Sequence, residues 1–337
     1  MKYLKIIFLG ICLNLFFTGF LTAKQRALEE TFSFAPSEYY QRFLASYQLE
    51  NWKWAQFYGK EFLSAYPASP FASETRYLLA ETYFKQNDFE LANYYFSQYL
   101  KYENNPKHFE ETIRYKFEIA KAFEEGAKKH IWGQEVMPKW IPAKDEALAI
   151  YDEIITTFPR NDLAAEAMFR KAGLLKDTKE FKSSVETYQN LIRRFPKNPL
   201  APESYLQIAA AYLEQSRSQF PDPASLDLAD INLRKFQMDF PGDPRIEDIE
   251  KTLMRMKNTF AKELYETAKY YERVKKIKAA SIYYCSILIR YPNTKFAKQS
   301  QERLDALGID MDSFLGKKAK AEINEKILVE TEDLKES

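Results

Sequence analysis

Apolar and aromatic positions return at helical spacing along most of this chain, and the helical stretches end alike. An aromatic-proline pair closes five of them: Tyr66-Pro67, Phe158-Pro159, Phe195-Pro196, Phe240-Pro241 and Tyr291-Pro292. Twelve residues before each proline stands a small residue: Ala55, Ala147, Ser184, Ala229 and Ala280. Four residues after that come Gly59, Tyr151, Tyr188, Leu233 and Tyr284. These positions share one face of a helix that stops at proline, which restricts its predecessor and cannot continue the hydrogen-bond ladder. The small residue allows a paired helix to approach closely.

The stretch before each of these helices is also periodic. Ala80 and Tyr83, Ala120 and Phe123, Ala172 and Leu175, Ala209 and Tyr212, and Ala268 and Tyr271 each place alanine three residues before a large apolar group. In the simplest copies this alanine lies twelve residues before the small residue of the following helix, as in Ala80 and Ala92, Ala172 and Ser184, or Ala268 and Ala280. That is the tetratricopeptide pattern, a helix-turn-helix unit of about 34 residues. The spacing predicts an all-α superhelical solenoid with repeats at 36–69, 73–106, 113–161, 165–198, 202–243 and 261–294. Each pair buries its apolar face only against its neighbours. Phe296, Ser300 and Leu304 predict a capping helix over 293–307 that stops at Gly308. The array is therefore expected to span 36–308, followed by a charged, solvated tail at 309–337.

Two insertions break the period. One, at 126–142, carries Trp132, Met137, Trp140 and Ile141; the other lies around 215–225. Large apolar groups are unusual in a surface loop. Trp132 and Trp140 are read either as a plug for a partner or as groups folded back onto their own repeat.

The first 23 residues read as an address. Lys2 and Lys5 precede an apolar run from Ile6 to Leu21, which matches a secretory signal cleaved after Ala23 or, alternatively, an uncleaved anchor. A short linker, 24–35, would follow. Cys12 has the bulky Ile11 before it, where lipid attachment calls for a small residue. Removal of the signal leaves Cys285, read as a small buried hydrophobe.

Composition narrows the function. Nine Gly, two Cys and two His leave little stock for phosphate-cradling loops, zinc sites or Cys/His nucleophiles. The chain contains no nucleotide-binding glycine loop, no H-E-x-x-H and no C-x-x-C. His108 and His130 fall in loop-like stretches and read as surface histidines. With 49 Lys+Arg against 48 Asp+Glu, the net charge of +1 offers no general attraction to nucleic acid. The expectation is a non-enzyme without catalytic residue, cofactor, metal or small-molecule substrate.

Binding is the positive expectation. The first helix of each pair lines the groove of a tetratricopeptide array. Counting from the repeat starts places Glu74, Tyr77, Glu81, Phe84 and Lys85 there from repeat two. Repeat four contributes Glu166, Phe169, Lys176 and Asp177. Mixed aromatic and charged positions suit an extended peptide or a partner helix.

Two runs carry a family resemblance. The first joins Asn51-Trp52, Ala55, Tyr66-Pro67, Pro70-Phe71-Ala72, Ala80, Tyr83, Asp88 and Ala92. The second joins Lys262 through Ala268, Tyr270-Tyr271, Ala279-Ala280, Arg290 through Thr294 and Ala297. Together they resemble the BamD family of outer-membrane assembly factors, also called ComL or YfiO. The resemblance implies a periplasm-facing scaffold on the outer membrane of a Gram-negative-type bacterium. It also implies as partners the POTRA domains of the barrel insertase BamA and unfolded barrel proteins. No insertase-contacting residue carries over. The alternative is a Tol-Pal-associated or other periplasmic tetratricopeptide adaptor for envelope proteins; only 24–37 is available for the coiled coil expected of the Tol-Pal type.

Overall fold

Thirteen α-helices follow one another in the computed structural model, which describes residues 34–217 and 224–310. The expected leader, Cys12, residues 218–223 of the second insertion and the tail from 311 lie outside the described residues. Helix α1 (Pro36–Gln48) pairs with α2 (Trp52–Ala65), α3 (Ala72–Lys85) with α4 (Phe89–Tyr102), and α5 (Phe109–Glu124) with α6 (Lys144–Thr157). Then come α7 (Asp162–Asp177) and α8 (Phe181–Arg194), followed by α9 (Leu200–Gln215) and α10 (Ala224–Asp239). The last pair is α11 (Ile246–Arg273) with α12 (Ile277–Arg290), and α13 (Lys295–Ala306) packs after it.

The aromatic-proline pairs do what their chemistry requires. Tyr66, Phe158, Phe195 and Tyr291 each stand at a helix C-cap with φ between −133° and −128°. Each donates a last backbone N–H four residues back, to Phe62, Ile154, Leu191 and Ile287. Phe240 repeats the bond to Phe236. The following proline has no N–H to extend the ladder.

Within the pairs the turn is equally uniform. Glu50, Asn87, Lys179 and Lys275 adopt positive φ, from 54° to 67°, and Gly126 does the same at 107°. Behind them a backbone N–H reaches five residues back in every case: Asn51 to Ser46, Asp88 to Tyr83, Ala127 to Ala122, Glu180 to Leu175 and Lys276 to Tyr271. This is the Schellman stop, which normally recruits glycine. Four of five copies hold a side-chain-bearing residue there instead, which accounts for part of the glycine shortage.

The small residues lie where helices touch. Ala80, Ala92, Ala172, Ser184, Ala268 and Ala280 are all fully buried. The Ser184 hydroxyl donates to the Ala172 carbonyl at 2.7 Å, so this copy adds a hydrogen bond to the close approach. Gly59 is the tightest case: a Cβ there would stand 3.0 Å from the Phe43 ring and 3.1 Å from Leu79.

The chain divides into two units, one through Ala167 and one from Met168, so the division falls inside α7. The first has a core that includes Phe43, Phe62, Leu79, Tyr83, Phe96, Phe123 and Tyr151. The second is centred on Tyr188, Ile208, Phe236, Met256 and Phe260, with a smaller cluster in which Tyr284 and Cys285 join Leu304 of α13. Cys285 is buried, and its thiol is pushed up to about 11 by burial. Arg303 of α13 pairs with Glu272 of α11, which also accepts the Tyr284 hydroxyl at 2.8 Å.

Two features differ from the expectation. The helix that carries the expected start of the sixth repeat at 261 begins earlier: α11 is one helix from Ile246, because no Gly or Pro interrupts it and Ile249, Leu253, Met256 and Phe260 continue its buried stripe. The insertion at 126–142 is a β-hairpin rather than a loop. Strands β1 (Lys128–His130) and β2 (Lys139–Pro142) pair antiparallel around a 3₁₀ turn at Ile131–Gly133.

Candidate protein-binding face

Glu81 is the centre of a face carried by the first helices of the first three pairs. Its Oε2 accepts the Tyr47 hydroxyl from α1 at 2.8 Å, and its Oε1 accepts the Tyr115 hydroxyl from α5 at 2.5 Å. The two tyrosines stand 34 residues before and after Glu81, so equivalent positions of three repeats meet on one carboxylate. A single acidic side chain thereby ties three helices whose apolar contacts lie beneath it.

Aromatic groups surround this clamp. Phe84, half-buried, meets the Tyr115 ring edge-on at 4.9 Å. The exposed Lys85 places its ammonium 5.0 Å over Trp52 and 5.6 Å over Tyr47. Such cation-ring contacts at exposed sites contribute about 0.5–1 kcal/mol and keep the aliphatic stem ordered. Tyr77 is buried and stacks on His108 at 4.3 Å, so it supports the face from below and does not line it. Glu74 is exposed at the start of α3 beside Tyr40, whose hydroxyl is raised by burial and then by that carboxylate.

The remaining sequence-derived candidates lie elsewhere. Glu166 lines a shallow depression of about 250 Å³ with Glu110, Arg114 and Phe158. Phe169 belongs to the second unit, where it packs edge-on against Tyr188 at 5.4 Å. Lys176 donates to Gln207 at 2.7 Å. Trp132 and Trp140 remain 78% and 68% exposed on the hairpin, together with Val136 at 90%. Tyr47 and Tyr115 were not among the candidates, although their 34-residue offset from Glu81 is visible in the sequence.

Burial first, and Glu81 next, raise the hydroxyls of Tyr47, Tyr77 and Tyr115 above their ordinary value of 10.0. A raised hydroxyl favours the fold while protonated. Its contribution is complete below the unfolded value and is lost as pH rises through the folded one. Melting temperature is therefore expected to hold up to about pH 10 and then fall, with exposed tyrosines ionising first and a second, late part of the tyrosinate absorbance appearing together with unfolding. Complete, reversible ionisation of all the tyrosines while the protein stays folded would contradict the assignment.

The hairpin is docked rather than loose. His130 is only 4% exposed, which corrects the surface reading of this residue. Its backbone N–H donates to Glu90 at 2.7 Å, and its Nδ1 and Nε2 lie 3.0 Å from Glu90 and 3.4 Å from Asp88. Lys139 reaches the Asn87 carbonyl at 3.0 Å and Asp88 at 3.4 Å. Asp88 is also the N-cap of α4. The charged start of one helix thus holds the insertion, while on the other side Lys129 pairs with Glu146. Replacing His130 by alanine is expected to cost the hairpin about 1–2 kcal/mol of local stability. Limited proteolysis should then cut within 131–138 several-fold faster, at nearly unchanged global melting temperature.

Among the described residues no group of His, Cys, Asp and Glu could hold a metal ion, and no helix is long and apolar enough to cross a membrane. Helix pairs with this turn, this proline stop and this 34-residue recurrence define a tetratricopeptide-repeat protein, and residues 74–103 match the tetratricopeptide repeat model. Residues 145–326, more than half of the chain, match the YfiO family, described as outer membrane lipoprotein. The chain belongs to the YfiO family. Both families are scaffolds or adaptors. The Glu81 clamp and the hairpin lie before the stretch that the YfiO model matches.

No curated protein sequence matches the chain. One similar solved structure is the C-terminal part of a TPR repeat-containing protein from Cytophaga hutchinsonii, at 14% identity and TM-score 0.32, covering 82% of this chain and 91% of that one. Another is PilF of Pseudomonas aeruginosa, at 14% identity and TM-score 0.28, covering 82% and 99%. The apo form of RapI is similar at 13% identity and TM-score 0.35, covering 86% and 81%.

Proposed function

We propose that the chain is a non-enzymatic adaptor in the periplasm, attached to the outer membrane, that holds envelope proteins during barrel assembly. Membership of an outer-membrane lipoprotein family supports the location. The observation that carries the binding role is the Glu81 clamp. It spends its carboxylate on Tyr47 and Tyr115 and leaves Phe84, Lys85 and Trp52 around it as aromatic and cationic contact groups. Such a surface suits an extended segment, with rings supplying the anchors and Lys85 a polar contact. The partners proposed are the POTRA domains of the barrel insertase BamA and unfolded barrel proteins.

Affinity co-purification from cross-linked envelopes tests this reading. Recovery of the insertase and of barrel precursors is expected. Their absence, with Tol-Pal components recovered in their place, would reject barrel assembly in favour of the other adaptor role. Retention in the membrane pellet after an alkaline wash is the expected result for an anchored protein.

A further inference from the structure

A second site lies away from the Glu81 face, between the second helices of the first two pairs. Helices α2, α3 and α4 and the turn after α2 enclose an open cleft of about 460 Å³. Lys60 and Arg76 reach it from α2 and α3, and Tyr94, Tyr95, Gln98 and Tyr102 line it from α4. None of its lining residues is acidic. Two cations at such a cleft, only one of them paired with a carboxylate, attract an anion.

Arg76 is poised for this. One of its guanidinium nitrogens donates to the Pro67 carbonyl at 3.1 Å, and the group lies 4.9 Å over the Tyr102 ring. Those contacts fix its plane and leave further N–H donors in the fork that matches a carboxylate. No carboxylate among the described residues pairs with it. Lys60 differs, because it already holds one. Its ammonium pairs at 2.8 Å with Glu135, from the turn of the inserted hairpin, and Glu135 also accepts the Tyr83 hydroxyl at 3.3 Å. The Tyr95 hydroxyl is pushed up to about 12, by burial, then by Tyr94 and Glu135, which agrees with a carboxylate at the rim.

Tyr94 and Tyr102 are 53% and 62% exposed and offer flat walls beside these charges. We propose that the cleft binds an acidic side chain of an extended peptide segment from a partner protein, on Arg76 and Lys60, in competition with Glu135. An apolar residue next to the acidic one packs on the exposed tyrosine rings. Because Glu135 belongs to the hairpin that carries Trp132 and Trp140, occupancy of the cleft releases one of that hairpin's anchors. This site is independent of the barrel-assembly reading.

The test uses the full chain and a fluorescein-labelled decapeptide of alternating Glu and Phe, with a Gln-Phe decapeptide as its neutral counterpart. Binding is read by anisotropy at low salt. The acidic peptide is expected to bind at least about tenfold tighter than the neutral one, and Arg76→Gln is expected to remove that difference. Glu135→Gln, which withdraws the competing charge, is expected to tighten acidic-peptide binding about threefold or more. Equal binding of the two peptides overturns the proposal. So does an Arg76→Gln chain that keeps the preference while Lys85→Glu loses it, which places the peptide on the Glu81 face. Displacement of the peptide by an equal concentration of succinate overturns the peptide assignment in favour of a small-acid site. Unchanged affinity in Glu135→Gln overturns the competition. Melting temperatures of the variants, expected to match the parent, show that the fold is kept.

Discussion

Replacing Lys116 with alanine is expected to destabilise the first unit by about 3 kcal/mol, whereas methionine at the same place should change it by less than about 1.5 kcal/mol. Lys116 lies on α5 with no exposed surface, a rare situation for lysine. Its ammonium donates to Asn93 and Ser97 of α4, both at 2.6 Å, and pairs with Glu153 of α6 at 3.0 Å. One nitrogen therefore ties three helices. Burial nevertheless lowers its pKa, and Glu153 restores only part of that loss. A lysine lowered in this way withholds stability at neutral pH; the contribution is present above the ordinary value of 10.5 and lost as pH falls through the folded one.

The two substitutions separate packing from charge. Alanine removes most of a fully enclosed stem and leaves a cavity among α4, α5 and α6, so the transfer and cavity losses add. Methionine keeps the volume and removes the desolvated ammonium, so the cost of burying that charge disappears with it. It leaves Asn93, Ser97 and Glu153 without their donor, but all three are partly exposed and recover water. Chemical denaturation followed by circular dichroism measures both. A methionine variant as unstable as the alanine variant would show that the ion pair, rather than the filled space, holds this junction.

What the sequence made legible was the part governed by local chemistry. The aromatic-proline stops, the small residues at helix contacts and the 34-residue period are each set by a few neighbouring residues, so they could be placed by number. Ala172 and Ser184 illustrate the limit. Their twelve-residue offset marks a close contact, yet the hydrogen bond between them appears only when the helices are docked. Gly59 shows the same from the other side: its place in the pattern is visible, but the Phe43 ring it admits is not.

The hairpin was opaque for a physical reason. Its strands have three and four residues, too short for alternation to register, and its anchors Asp88 and Glu90 are about 40 positions upstream. His130 therefore looked like a surface residue although two carboxylates bury it. The length of the helix around the sixth repeat's expected start was opaque for another reason. The repeat pattern marks only the later part of that helix, and α11 runs on before it as an uninterrupted amphipathic stripe. In the candidate face, Tyr77 falls on the groove side by counting, but the stacked His108 covers it. Counting positions gives the face of a helix, and only packing gives the depth.

The Glu81 clamp leads to the second large effect, in which stability and binding should separate. Glu81→Ala leaves the Tyr47 and Tyr115 hydroxyls without their acceptor in part-buried positions, at an expected cost of about 2 kcal/mol. The loss falls on the junctions of α3 with α1 and α5, so hydrogen exchange should quicken in those helices before the second unit responds. Glu81→Gln retains one carbonyl acceptor and should recover about half. Lys85→Glu behaves differently, because Lys85 is exposed and lies over the faces of Trp52 and Tyr47. Its reversal should leave melting within about 1 kcal/mol of the parent, since only exposed cation-ring contacts are lost. Yet it places a negative charge beside the rings proposed to receive the extended segment. Recovery of cross-linked envelope partners is then expected to fall about tenfold, the equivalent of about 1.4 kcal/mol. Phe84→Ala should lower recovery as much, with a modest stability loss because the ring is half-buried against Tyr115. Undiminished recovery from Lys85→Glu and Phe84→Ala together would remove this face from partner binding and leave Glu81 a structural tie between repeats.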